Sequence, residues 1–242
     1  MKLIINADDF GLSKSITDGI IEGIKSGYIT STSLMVNMPF AKYAIDEAIK
    51  NNIKCIGLHV NLTAGKPVLK NSNLVDENGI FLYNKLQKEN PKLTYEDVYN
   101  EIMAQLELVR KYSNGKIKVD HLDTHHYMFC NEIIKEAVID IANKLDIPVR
   151  NENNITQNVK KPDEIYTDFT MINVNVEKLK EMCKNYGSKD IVLELVTHCG
   201  YVDEYTKSIT SYIDRENELK VLKEAKYLGI FDNIDLINFS MI

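Results

Sequence analysis

Side chains that can bind a metal ion stand at the ends of four short apolar runs in this chain. Asp8 and Asp9 directly follow the first run, and His59 lies near the end of another. His125 follows a third run, and His198 ends the last. Because functional sites of parallel α/β proteins form at the carboxyl ends of strands, these side chains are predicted to meet. Two imidazoles and one carboxylate make an open metal site, and imidazole favours Zn²⁺ or another transition metal over Mg²⁺.

Each of these residues also has an ordinary structural explanation. A single histidine at a strand end is more often hydrogen-bonded than metal-bound, and an aspartate after a strand often forms a turn or caps a helix. However, two adjacent carboxylates after an apolar run, Asp8 and Asp9, would repel each other and be costly to bury without a cation beside them. Their combination with three histidines at other strand ends favours the metal site.

The HLDTHH segment allows a finer prediction, because side chains two residues apart in a strand share a face. His121, Asp123 and His125 are therefore expected to point the same way. His125 is predicted to be a metal ligand, and Asp123 to accept a hydrogen bond from a ligand imidazole. His121 and His126 are interpreted as structural or substrate-lining residues.

Other polar and aromatic residues are candidates for supporting roles. Glu194 shares a strand face with His198, so it either supports a site residue or lies on an outer face. Three cations near strand ends could meet a phosphorylated substrate, namely Lys14, Lys66 and Arg150. Three tyrosines could stack on a ring of a substrate, although core or surface positions explain them equally well, namely Tyr28, Tyr127 and Tyr201.

Strand and helix patterns alternate along the whole chain. Strands are predicted at residues 3–7, 32–37, 55–61, 117–123, 147–150, 166–172, 190–197 and 234–239, and helices at 15–27, 40–51, 94–113, 132–145, 176–186 and 211–228. The irregular stretch 62–91 is predicted to be a functional loop, and Thr94 and Asp97 to form a capping box after it. The alternation predicts an α/β fold with a parallel sheet, as a single-domain (β/α) barrel over residues 1–242. An open doubly wound sheet is the alternative, although the chain lacks the glycine-rich nucleotide-binding motifs.

The composition is that of a globular protein with an acidic surface. The 242 residues carry a formal net charge of −6, which argues against a nucleic-acid or anionic-membrane partner. The first apolar run is too short for a signal peptide, and no stretch is apolar enough to span a membrane, so a cytoplasmic location is expected. The four cysteines lack C-x-x-C spacing and are expected to be reduced thiols.

Five sequence blocks resemble those of the YdjC-like carbohydrate deacetylases, a family that includes chitooligosaccharide deacetylases. In chain order they are NADDFG, STSLMVN, GLHVNLT, HLDTHH and ELVTHCG, and they extend from residue 6 to residue 200. The resemblance implies a distorted (β/α) barrel, a homodimer and hydrolysis of the N-acetyl group of small carbohydrates, such as chitooligosaccharides or chitobiose phosphates. It also implies a divalent cation, usually Mg²⁺, although Zn²⁺, Co²⁺ or Mn²⁺ suits two imidazole ligands better.

The resemblance also implies a role for each matched residue. Asp9, His59 and His125 correspond to the metal ligands, Asp8 to the general base and His198 to the general acid. The segment at Arg150 departs from the pattern that is common in the family, which leaves a role in substrate binding open. Two other functions remain as alternatives: a metal-dependent phosphoesterase on the same scaffold, which would need a second metal or more cations, and a sugar-binding protein without catalysis.

Overall fold

A parallel β-sheet organises the molecule. The computed structural model describes residues 1–70 and 73–242, and in these residues the strands are β1 (Lys2–Phe10), β2 (Ser31–Leu34), β3 (Ile56–Val60), β4 (Leu122–Thr124), β5 (Glu164–Tyr166), β6 (Val192–Thr197) and β7 (Asp235–Leu236). The helices of the same residues are α1 (Lys14–Ser26), α2 (Ala41–Lys50), α3 (Asn84–Lys88), α4 (Tyr95–Ser113), α5 (Glu132–Leu145), α6 (Val176–Tyr186), α7 (Glu204–Ile209) and α8 (Arg215–Tyr227).

The strand order is that of a barrel opened at one place. Neighbouring strands follow the order β4-β3-β2-β1-β6-β5, the short β7 pairs with β1 outside this order, and all of these strand pairs are parallel. Read from β5, the six ordered strands follow the cyclic order of a (β/α) barrel in which β4 and β5 are not paired. A single bridge from Leu122 to Val149 and a hydrogen bond from Val149 N–H to the Lys160 carbonyl line this gap. The predicted distorted (β/α) barrel is therefore confirmed, and the open doubly wound sheet is not the architecture.

Several helices begin and end where local chemistry requires it. Ser13 accepts a hydrogen bond from the Ile16 N–H at the start of α1, and Gly27, with φ of 72°, ends that helix. Thr94 and Asp97 form the predicted capping box of α4, with Asp in the place that Glu or Gln usually takes. These caps fix the positions at which the helices pack on the outer face of the sheet.

The second half of the chain contains less regular structure than the sequence predicts. The strand predicted at 117–123 is reduced to β4, that at 147–150 to one bridge, and that at 166–172 to β5 followed by a 3₁₀ turn at Met171–Asn173. The helix predicted at 211–228 begins only at Arg215, and α7 before it was not predicted. Apolar side chains in these segments are buried, but no neighbouring strand is available to form a longer β-ladder with them. A hydrophobic pattern predicts burial and does not show whether such a neighbour exists.

The two faces of the sheet differ in chemistry. The outer face packs against the helices through a large apolar core that includes Leu3, Ile5 and Ile20. On the other face of β1, Ile4 packs with Ile237 and Phe239 in a separate small apolar cluster. Asn6 and Asp8 follow Ile4 on this inner face, so the barrel interior changes from apolar to polar towards the carboxyl ends of the strands.

The four cysteines are unpaired, as expected. Among the residues that the structure describes, no helix has the length and apolar character needed to cross a membrane.

Candidate metal centre and active site

A β-bulge brings both adjacent aspartates of β1 into the barrel mouth. Ala7 pairs with Thr32 and Phe10 with Leu34, so two residues of β1 lie opposite one residue of β2. Asp9 adopts φ of 67°, in the left-handed region that Asp tolerates better than most residues. In a regular strand Asp8 and Asp9 would point to opposite faces, whereas here both are buried in the same site.

The three predicted metal ligands converge on one point. Asp9 Oδ1 lies 3.3 Å from His125 Nδ1 and 3.6 Å from His59 Nε2. His125 Nδ1 and His59 Nε2 are 3.3 Å apart. An ion at about 2.0–2.2 Å from each atom would hold three ligands about 3–3.5 Å from one another, so the spacing fits a cation.

Two further observations show that this donor set fits a cation. Asp9 Oδ1 is buried and has no hydrogen-bond partner among the described residues, although an orphaned carboxylate oxygen is costly in a protein interior. Burial alone would lower the pKa of His59, but Asp123, Asp8 and Asp9 raise that pKa to about 9. The acidic surroundings therefore favour positive charge at the point where the donors meet.

Asp123 orients the His59 ring. Asp123 Oδ1 lies 2.8 Å from His59 Nδ1, and the Arg150 and His59 charges hold the pKa of this carboxyl low despite its burial. The ionised carboxylate accepts the Nδ1 proton, so Nε2 is the nitrogen directed at the site, and it would offer its lone pair to a cation once it has released its own proton. Ser33 Oγ donates to Asp123 Oδ2 at 2.6 Å and fixes the carboxylate in turn.

Asp8 belongs to a buried cluster around one guanidinium. Arg150 Nη1 and Nη2 donate to the two oxygens of Asp8 at 2.8 and 2.6 Å. Arg150 Nη2 also lies 2.9 Å from Asp123 Oδ2 and 2.8 Å from Glu194 Oε1. Burial raises the pKa of Glu194 to about 7, so this carboxyl carries a proton part of the time near neutrality. Glu194 thus supports Asp8 through Arg150 and does not lie on an outer face.

His198 lies beside Asp8 at the site. Its Nε2 is 3.8 Å from Asp8 Oδ2, and its side chain retains 30% exposure, so a substrate can reach it. Burial of the ring lowers the pKa of His198. The start of α8 holds its backbone on both sides: the His198 N–H donates to Glu218 Oε2 at 2.6 Å, and the His198 carbonyl accepts from Arg215 Nη1 at 3.0 Å.

The other histidines of HLDTHH have separate partners. His121 Nδ1 lies 2.7 Å from Asp120 Oδ1, and its ring stacks on Phe239 at 3.8 Å between centroids. His126 Nδ1 lies 2.9 Å from Thr63 Oγ1, and burial lowers the pKa of His126 to about 3. The ring of His126 lies 3.8 Å from that of His125 between centroids, tilted by 35°, and so packs beside the donor set.

The candidate phosphate-binding cations are placed less favourably. Arg150 is fully buried among carboxylates and is not free to meet a substrate phosphate, because its donors already serve Asp8, Asp123 and Glu194. Lys14 pairs with Asp18 at 2.6 Å on the surface of α1. Lys66 lines a cavity together with Asn37 and Lys42, beyond the end of β2.

The three candidate tyrosines differ in exposure. Tyr28 is buried, which excludes it as a platform for a sugar ring. Tyr201 is exposed and donates its hydroxyl to Glu22. Tyr127 is half-buried, with φ of 52°, and follows the HLDTHH segment at the site.

Comparison with known proteins identifies the family. The family model described as "YdjC-like protein" matches residues 2–232. The chain belongs to the YdjC-like family. The resemblance found in the five sequence blocks is therefore confirmed over almost the whole chain.

Relatives of the same length support this membership. A protein of Clostridium beijerinckii named carbohydrate deacetylase is 37% identical over 248 aligned positions, which cover 99% of each chain. Another with this name, from Oceanobacillus iheyensis, is 34% identical over 229 positions, 92% of this chain and 96% of the relative. The crystal structure of an Enterococcus faecalis protein, described as a cellobiose-phosphate cleavage protein, has a TM-score of 0.88 at 29% identity and covers 99% of this chain and 98% of that one.

The YdjC-like sequence blocks quoted above do not contain all of the site. Arg150, Arg215 and Glu218 lie outside them, and all three are buried against site residues. The sequence does offer a clue to the two buried arginines. Of its 29 lysine and arginine residues, only Arg110, Arg150 and Arg215 are arginine. Because arginine suits buried pairing with carboxylates better than lysine does, two of these rare arginines could have been suspected near the aspartates.

Proposed function

We propose that this YdjC-like protein is a metal-dependent carbohydrate deacetylase that acts on N-acetylated amino sugars of the chitooligosaccharide or chitobiose-phosphate type. The observation that carries the proposal is the convergence of Asp9, His59 and His125 on one point, beside Asp8 and His198. The names of relatives that align over the full length supply the class of reaction and substrate.

The proposed cofactor is a single divalent cation held by Asp9, His59 and His125. Two imidazoles and one carboxylate suit Zn²⁺, Co²⁺ or Mn²⁺, whereas Mg²⁺ is the cation that the family resemblance implies. Such a cation polarises an amide carbonyl and activates water when it is bound. A second group of possible donors consists of Asp8, His59 and Asp123, and it shares His59 with the first group. Its two carboxylates are already paired with Arg150.

Asp8 is the proposed general base. The Arg150 guanidinium holds both oxygens of its carboxylate in place. Asp8 Oδ2 lies 3.9 Å from His59 Nε2 and 3.8 Å from His198 Nε2, so it stands between the proposed cation site and the proposed acid. This position is the one from which a carboxylate can take a proton from a water at the site.

His198 is the proposed general acid. Its lowered pKa means that the imidazole starts neutral and gives up a proton readily once it has received one. With 3.8 Å between His198 Nε2 and Asp8 Oδ2, the proton that Asp8 takes from water can pass through His198 to the amine nitrogen as the carbon–nitrogen bond breaks. The water oxygen ends on the acetate and one water proton on the amine nitrogen; the second proton leaves when the acetic acid ionises and can be taken up by the free amine.

An acetate-release assay tests the proposal directly. Metal-stripped protein is incubated with N,N′-diacetylchitobiose or its phosphate ester, with and without one added divalent cation, and acetate is quantified. We expect activity only with the cation. Full activity in metal-stripped protein would refute the metal-dependent mechanism.

Site variants test the assigned roles. We expect His125→Ala to lose both the cation and activity, and His198→Ala to retain the cation while losing about 10²–10⁴-fold in turnover. Asp8→Asn should lose activity with the cation still bound, whereas Asp46→Asn, an exposed aspartate on α2 that pairs with Lys42, serves as a matched control. Normal turnover in His198→Ala or Asp8→Asn would remove that residue from the mechanism.

Assays on the same protein distinguish the two alternative functions from the deacetylase. A phosphoesterase would release phosphate from a phosphoester panel and leave the acetamide intact. A sugar-binding protein without catalysis would bind the disaccharide when loaded with metal and release no acetate. The engagement of Asp8 and Asp123 by Arg150 disfavours the second metal that a phosphoesterase of the two-metal type would need.

We also propose a cytoplasmic homodimer as the working form. Light scattering of the purified protein measures the oligomeric state, and fractionation of cells that express it measures the location.

A further inference from the structure

Arg215 contacts one of the two oxygens of the Asp9 carboxylate, and the other oxygen lies near His59 and His125. Arg215 is the first residue of α8 and is almost fully buried. Its Nη2 lies 2.7 Å from Asp9 Oδ2. The other oxygen, Oδ1, is the one that lies within 3.6 Å of both His59 and His125 and has no hydrogen-bond partner among the described residues.

The same guanidinium also holds the backbone of His198. Its Nη1 donates to the His198 carbonyl at 3.0 Å, and its Nε donates to the Tyr212 carbonyl at 3.2 Å. All three nitrogens of Arg215 are thus committed, and one side chain joins a predicted ligand from β1 to the predicted acid after β6. Glu218, one turn further along α8, accepts from the His198 N–H and from the Tyr212 hydroxyl.

We propose that Arg215 is a positioning residue that limits Asp9 to one-oxygen ligation and ties this geometry to the placement of His198. The inference rests on the proposed function of this site as a metal centre. A carboxylate can bind a cation through one or both oxygens. If Oδ2 also bound, it would take a coordination position that water or the amide oxygen needs. A planar guanidinium with several donors in fixed directions can hold Oδ2 and the His198 carbonyl together, which a single ammonium group cannot.

The test uses Co²⁺-loaded protein, because visible absorption of Co²⁺ weakens as its coordination number rises. In Arg215→Met, Oδ2 is released to the cation. We expect the Co²⁺ absorption to fall at least twofold and kcat to fall at least tenfold, with KM for diacetylchitobiose within about threefold of wild type. Arg215→Lys keeps a cation beside Oδ2 but loses the bond to His198, so it should recover the wild-type spectrum and only part of kcat.

The exposed Arg110 provides the matched control. It pairs with Glu107 on the surface of α4, so Arg110→Met should change neither the spectrum nor the kinetic constants. A wild-type spectrum and wild-type kcat in Arg215→Met would overturn the proposal. If Arg215→Met does not fold, a crystal structure of the Co²⁺-loaded wild type decides: one Asp9 oxygen on the ion supports the proposal, and two overturn it.

These measurements distinguish a failure of the proposed deacetylase function from a failure of the proposed role of Arg215. A wild-type protein that binds Co²⁺ through one oxygen of Asp9 but releases no acetate would refute the proposed deacetylase and leave the role of Arg215 standing. Acetate release by a wild-type protein with two-oxygen ligation would do the reverse.

Discussion

Replacing Asp123 with asparagine tests whether the orientation of His59 determines metal affinity. Asp123 receives three donors: His59 Nδ1 at 2.8 Å, Ser33 Oγ at 2.6 Å and Arg150 Nη2 at 2.9 Å. Asparagine has the same shape but replaces one acceptor oxygen with an NH₂ group, so it cannot accept on both sides.

Both orientations of the new amide are unfavourable. If its oxygen faces His59, its NH₂ meets the Arg150 and Ser33 donors and leaves buried donors unsatisfied, at about 1–3 kcal/mol. If its NH₂ faces His59, the imidazole must place its proton on Nε2, which blocks the lone pair that faces Asp9. Loss of such a hydrogen-bonded partner of a ligand histidine typically weakens metal binding by about 10–100-fold, or about 1.4–2.7 kcal/mol.

Competition with a chromophoric chelator measures this change, and acetate release at rising metal concentration should show partial recovery of activity. Asp120→Asn is the matched control, because Asp120 makes the same contact with His121 Nδ1, at 2.7 Å, and His121 Nε2 faces Ser33 Oγ at 3.3 Å and not a proposed ligand. We expect less than a twofold change in affinity for the control. Wild-type affinity in Asp123→Asn, or an equal loss in Asp120→Asn, would refute the reasoning.

Three further predictions concern the stability of the protein. Burial raises the pKa of Glu218 to about 8 from a usual 4.5, so the folded state keeps a proton that the unfolded chain releases, and stability falls as the pH rises from about 4.5 to 8. Glu218→Gln imitates the protonated form, so its melting temperature relative to wild type should rise across this window and level off above it; a constant difference would contradict the assignment. Gly57→Ala places a Cβ 2.3 Å from the His121 ring, which should cost about 1–3 kcal/mol in urea unfolding. Adding His121→Ala should make the pair cost less than the sum of the single changes, and strict additivity would exclude the clash. Thr94→Ala should cost about 1 kcal/mol by loss of the α4 cap, whereas Thr94→Ser, which keeps the hydroxyl, should restore most of it; equal stabilities of the two would show that the cap contributes nothing.

Much of the fold was accessible from the sequence because the pattern of apolar runs is strong where strands are long. The predicted runs at 3–7, 55–61 and 190–197 correspond to β1, β3 and β6, which are flanked by other strands on both sides. The prediction was poorest from 147 to 172, beside the gap between β4 and β5. There the chain lies against the sheet with few strand pairs, so local apolar pattern and actual pairing diverge.

The site was predictable in its ligand types and only partly in its supports. Strand-end placement indicated a group of aspartates and histidines, and the family resemblance implied Asp9, His59 and His125 as the ligands; these three side chains do lie together. The bulge that turns both Asp8 and Asp9 inward depends on the register between β1 and β2, which no single stretch of sequence displays. The pairing of Arg215 with Asp9 joins residues 206 positions apart, and such contacts follow from the tertiary fold rather than from any local pattern.

The left-handed backbone at residue 9 restricts what evolution can place there. Besides aspartate, asparagine and glycine are the residues most comfortable at such a φ, and neither supplies a negatively charged oxygen. A relative with either of them at this position would retain the kink and the barrel while losing the carboxylate that we propose as a cation ligand. Inactive members of the family could therefore arise by one substitution without unfolding, and this single position is the first to inspect when a related chain is screened for lost activity.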